Sequence, residues 1–175
     1  MHIPANYEYP NAPYFAEYLN FEAEENLFEV LKNQTTEICH IFENLAKGQA
    51  EFAYAADKWS LKGLLGHMID TERIVSYRVL AISRGEKTPL PGFDENEYQA
   101  ASEYETQDAA DILLQYKATR AATTALLNSF SSKHWNQMGQ ANGKVTSARA
   151  WAWMIAGHEK HHLGIIKERY LSQIS

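Results

Sequence analysis

The sequence predicts an all-α protein, a four-helix bundle, and two observations carry that reading. All five prolines sit at positions 4, 10, 13, 89 and 91, so 14–88 and 92–175 hold no residue that forbids a helix interior. No run alternates apolar and polar residues for long enough to build a sheet, whereas apolar residues recur at helical spacing. A chain of 175 residues fits a single domain, 1–175, large enough to bury its own core.

The first helix is expected over roughly 21–46. Leu31, Ile38 and Leu45 recur every seven residues with Leu27, Phe28, Ile41 and Phe42 beside them, and Gly48 follows as a stop. The second starts after Ser60, a good N-cap, and runs to about Ser83 along Leu61, Leu64, Leu65, Met68, Val75, Val79 and Ile82. A long connection, 85–105, contains Pro89-Leu90-Pro91-Gly92-Phe93-Asp94; connections of that length are often functional, and this one is expected to help build a pocket. The third helix, about 107–130, carries Ile112, Leu113, Tyr116, Leu127 and Phe130. A polar segment, 131–146, holds Asn142-Gly143, a signal for a short hairpin before the fourth helix. That last helix begins near Thr146 or Ser147 and reaches about Leu171. Four amphipathic helices of this length are most economically packed as a bundle.

Composition narrows the function. Hydrophobic residues make up 45% and charged residues 22%, which excludes intrinsic disorder. A formal charge of −6 argues against nucleic-acid binding, which needs clustered Lys and Arg. No apolar run is long enough to span a membrane. Met1-His2-Ile3-Pro4-Ala5-Asn6 has neither a basic start nor an apolar core, so a cytoplasmic location is expected. Cys39 is the single cysteine, which rules out an internal disulfide.

The chemistry concentrates in Gly157-His158-Glu159-Lys160-His161-His162-Leu163. On a wheel of about 100° per residue, His158 and His162 fall within about 20° of Trp151, at the middle of the apolar stripe. Two inward imidazoles one turn apart need partners, because buried polar groups are costly unless satisfied. The i, i+4 spacing also brings both rings within reach of one metal ion. His161 lies about 80° away and reads as a flanking residue. A third ligand is wanted, and His67 in Leu64-Leu65-Gly66-His67-Met68-Ile69-Asp70 is the candidate. Its own wheel places it about 120° from the centre of the second helix's stripe, a position equally compatible with the surface. His2, His40 and His134 receive no role. His158-Glu159-Lys160-His161-His162 formally matches the H-E-x-x-H protease signature, but only 13 residues follow, with Ile165 and Glu168 where the extended motif needs Gly and His. A protease is therefore not the favoured reading.

Three segments together resemble the DinB/YfiT-like superfamily of metal-binding four-helix bundles. They are Lys58-Trp59-Ser60 through His67 to Glu72, Pro91-Gly92-Phe93-Asp94, and Gly157-His158 through His162 to Ile166. The resemblance spans nearly the whole chain. It implies that His67, His158 and His162 are the metal ligands. It also implies an up-down-down-up bundle, often a homodimer, and either hydrolysis or transfer of a low-molecular-weight thiol such as bacillithiol or mycothiol. Three neutral imidazoles leave an open position, as in catalytic rather than closed structural sites. Zn is the first expectation for the metal and Ni the second. A water or thiol activated there would attack a small electrophilic substrate. Asp70, Glu72 and Glu159 are candidate imidazole-orienting acceptors or bases. Trp59, Trp151 and Trp153 are assigned to packing. A non-catalytic metal-binding or stress-response module is the alternative function, and a metal-free interaction protein the third.

Overall fold

The computed structural model describes residues 1–174. Its long helices are α2 (Leu27–Glu43), α3 (Leu61–Ser83), α5 (Ala109–Asn128) and α7 (Ala148–Ile165), the last continuing through a π-helical turn, Ile166–Leu171, into Ser172–Ile174. Shorter elements fill the connections: α1 (Pro13–Tyr18), α4 (Glu95–Ala101), α6 (Ser132–Trp135) and the strands β1 (Met138–Ala141) and β2 (Lys144–Ser147). The expected all-α bundle and the small hairpin are both present. α3 packs against α5 and α7, and α2 packs against the same two helices. The consecutive helices α2 and α3 therefore occupy opposite corners.

Side-chain caps set the helix starts. Ser60 Oγ accepts from the Gly63 amide at 3.0 Å, and Ser147 Oγ from the Ala150 amide at 2.9 Å. The first long helix is shorter than the 21–46 expected. It begins after Asn26, whose side chain accepts from the Phe28 amide at 3.0 Å. It ends before Gly48 because Asn44 Nδ2 donates to the His40 carbonyl at 2.7 Å, terminating the helical ladder at Glu43. The 85–105 connection has structure of its own. Leu90 donates to the Gln140 carbonyl at 2.9 Å and accepts from the Asn142 amide at 3.0 Å, laying the chain along β1. Asp94 Oδ1 then caps α4. Between the strands, Asn142 and Gly143 take φ of 49° and 71°, the positive values a tight two-residue hairpin turn demands.

Two apolar clusters fill the bundle, one around Trp151 and Trp153, the other around Leu65, Tyr116 and Ile166. α1 seats on α7 at Gly157, where any Cβ would collide with the Tyr18 carbonyl. That close approach brings the aromatic N-terminal segment over the histidine helix. No helix of the described residues is long and apolar enough to cross a membrane.

Candidate metal centre

The site is assembled from two neighbouring helices. α3 supplies His67 from its second turn, and α7 supplies His158 and His162, one turn apart. All three are buried, each 8% exposed. His158 Nε2 lies 3.0 Å from His67 Nε2 and 3.0 Å from His162 Nε2, and one ligand atom from each ring falls within 4.8 Å of the others. The helical wheel of α3 under-read His67. Every residue from Leu61 to Ile69 is buried, because this helix has neighbours on several sides rather than one apolar stripe.

Burial keeps the rings neutral. Desolvation pushes His67 down to about 4, with the charges of Glu95 and Asp70 opposing it. His162 is pushed down to about 3 by burial and then by His67 and His161. His158 falls well below the usual imidazole range for the same first reason, with His162, His67 and His161 adding to it. Three neutral imidazoles with two 3.0 Å nitrogen contacts on one atom cannot all be satisfied by sharing protons, since His158 Nε2 carries either one hydrogen or one in-plane lone pair and so makes only one good hydrogen bond. A shared cation would resolve that conflict. Metal–nitrogen bonds of about 2.0–2.1 Å at right angles would put ligand atoms roughly 3 Å apart, which matches the two His158 separations of 3.0 Å, so the cluster could hold a divalent ion.

Aromatic rings fix the imidazoles. Trp59 packs on His67 with centroids 4.9 Å apart, and Tyr18 meets His158 edge-on at 5.8 Å. His161 stands off the cluster, with Nδ1 3.0 Å from Glu17 Oε1 at the margin of the site.

The three candidate carboxylates do not touch the imidazoles. Asp70 accepts from the Tyr104 hydroxyl at 2.9 Å and pairs with Arg73 at 3.3 Å. Glu72 and Glu159 are claimed by Arg120 of α5, which binds Glu72 through Nε at 3.0 Å and Nη2 at 2.8 Å and also pairs with Glu159. Glu159 accepts the Tyr116 hydroxyl at 2.7 Å, and burial raises its pKa despite Arg120. Glu72 and Glu159 are turned toward α5 and away from the histidine face, so the expected orienting contact is not made. Arg120 instead also donates to the Leu31 carbonyl at 3.0 Å, and so joins α2, α3, α5 and α7 beside the histidines.

The cluster opens into a cavity of 520 Å³, within the size range of small-molecule sites. Tyr14 and Tyr18 of α1, Trp59, Trp151, Phe93 and Arg78 line it with the histidines. Sequence reading missed most of these. It places no helix before residue 21, whereas proline at a first helical turn starts α1. The signal for Trp151 and Arg78 was spacing: Trp151 lies two turns before His158, and Arg78 three turns after His67, each on the same helix face.

Fold and site together define a four-helix bundle with a buried three-histidine cluster opening to a small-molecule cavity. Residues 31–166 match the DinB superfamily, and the chain belongs to that superfamily. A solved structure with a similar fold is YfiT from Bacillus subtilis, described as a probable metal-dependent hydrolase with an unusual four-helix bundle topology. It aligns with a TM-score of 0.75 at 17% identity, covering 97% of this chain and 98% of that one. A mycothiol-dependent maleylpyruvate isomerase aligns with a TM-score of 0.65 at 16% identity over 79% of this chain and 60% of that chain. Comparison with curated proteins found no match.

Proposed function

We propose that the protein is a metal-dependent enzyme in which His67, His158 and His162 hold a divalent cation, zinc or nickel, and a small electrophilic substrate is attacked by a low-molecular-weight thiol or by water. The observation that carries this reading is the convergence of three neutral, buried ring nitrogens at the floor of an open cavity. The cavity favours catalysis over the alternative of a closed metal-binding module, because a structural site leaves no room for a ligand.

When bound, the cation supplies Lewis acidity that makes a water or thiol proton easier to lose. The chain's own residues do the rest. Burial keeps the three imidazoles unprotonated, so their lone pairs are available at neutral pH. Trp59 and Tyr18 restrict ring rotation at His67 and His158. The aromatic walls lower the polarity beside the histidines, which strengthens polar interactions there. Arg120 pairs with both glutamates behind the site and offsets part of their charge, which weakens their pull toward protonation of His158.

The test is turnover of a panel of activated esters and alkylating electrophiles, with and without bacillithiol or a simpler thiol, by chelated and metal-reloaded protein. Rates that appear only on reloading support the proposal, and thiol dependence separates transfer from hydrolysis. Equal rates before and after chelation across the panel refute it.

A further inference from the structure

Two arginines are buried among the described residues, Arg78 and Arg120, at 4% and 3% exposure. Their surroundings differ. Burial alone would push Arg120 down, but Glu159 and Glu72 more than offset it. Arg78 makes no ion pair among the described residues. Its Nη2 donates to the Pro91 carbonyl at 3.0 Å, and its guanidinium carbon lies 4.8 Å from the Trp151 ring and 5.9 Å from the Phe93 ring. Burial lowers its pKa, with Tyr14 opposing, the signature of a charge lacking a counter-ion; a guanidinium nevertheless stays protonated at neutral pH.

Arg78 also lies on the wall of the histidine cavity. His67, Thr71, Val75 and Arg78 all line it, a single stripe of α3 in which eleven residues make about three turns. Long helical side chains lean toward the helix N-terminus, which here is toward His67. The other charged groups on the wall are Glu95 and Lys144, both exposed to water that screens them.

We infer that Arg78 binds a carboxylate of the substrate, holding a small organic acid whose reacting end lies at the three histidines. With rings on two sides and Pro91 taking one donor, the free edge of the guanidinium presents a planar fork that suits two carboxylate oxygens. Tyr14, Phe93 and Trp151 offer apolar contact to the segment between the acid and the reacting end. The placement of that reacting end rests on the proposed metal reading; the anion subsite stands on Arg78 alone.

The experiment therefore uses metal-stripped protein. Binding of 4-phenylbutanoate and of its neutral amide is measured by calorimetry for the wild-type chain, Arg78→Lys and Arg78→Gln. Wild-type protein should prefer the acid by at least about 10-fold, as expected for hydrogen bonds to a charged group. Arg78→Lys should keep part of that preference and Arg78→Gln should erase it. Should the glutamine variant fail to fold, the wild-type Arg78 Nε–H resonance, assigned by its loss in Arg78→Lys, should shift with the acid and not with the amide. Equal binding of acid and amide, a preference that survives in Arg78→Gln, or an unmoved resonance overturns the inference. An acid preference in stripped protein survives even if the histidines prove to bind no metal, so the two readings fail separately.

Discussion

His67 and His158 are 91 positions apart in the sequence, yet their Nε2 atoms lie 3.0 Å apart in the folded chain. That contact depends on α3 and α7 packing side by side, and on buried surroundings that keep both rings neutral. Their arrangement leads to four tests beyond those of turnover and carboxylate binding.

The metal-free protein should lose stability as pH falls from about 6.5 toward about 4. The unfolded histidines take up protons near their ordinary value of 6.5, whereas in the folded chain His67 waits until about 4 and His162 until about 3. The unfolded state therefore binds more protons in that window, and each such histidine costs up to ~1.4 kcal/mol per pH unit there. Above 6.5 the effect vanishes. Urea midpoints in chelator at pH 7.5, 5.5 and 4.5 should fall in that order, and His158→Leu should flatten the dependence. A midpoint unchanged between pH 7.5 and 4.5 contradicts the burial argument.

Arg120 is the polar pin of the bundle. Arg120→Leu leaves Glu72 and Glu159 buried without their cation, and breaking such a pair typically costs about 3–5 kcal/mol. Removing the charge on both sides, in Arg120→Leu with Glu72→Gln and Glu159→Gln, should recover a substantial part of the loss. Denaturant titration of the single and triple variants decides the matter; a triple variant less stable than Arg120→Leu alone would show that the network acts through packing rather than charge.

Gly157 controls the seating of α1. Gly157→Ala places a methyl group against the Tyr18 carbonyl and should displace the N-terminal segment, at a cost of about 1–3 kcal/mol. Amide exchange over residues 13–21 should accelerate while α3 and α5 stay protected. Unchanged exchange there would mean that the segment is held by its other contacts, such as Phe15 against Trp151.

Much of this fold was written in local chemistry that sequence reading can see. Pro89 and Pro91 separate the helical halves, Ser60 and Ser147 cap α3 and α7, and Asn142-Gly143 turns the hairpin. His158 and His162 stood out because both share the face of Trp151. His67 was a candidate that its wheel left equally compatible with the surface, because a helix buried over its first turns shows no clean stripe; the resemblance to the superfamily decided in its favour. The roles of Glu72 and Glu159 were hidden for a different reason. Their partner Arg120 lies on another helix 48 and 39 positions away, and no local pattern announces such a pairing. Arg78 was overlooked because an arginine on an apolar stripe reads as a snorkelling surface residue until the structure closes Trp151 and Phe93 around it.

The most direct measurement is the metal content of gently purified protein, compared with His67→Ala, His158→Ala and His162→Ala. The wild-type chain should carry about one equivalent of a divalent transition metal, and each variant should lose it while circular dichroism shows the helices intact. A folded His158→Ala protein holding as much metal as wild type would contradict the account, because that ring is the one both other imidazoles approach.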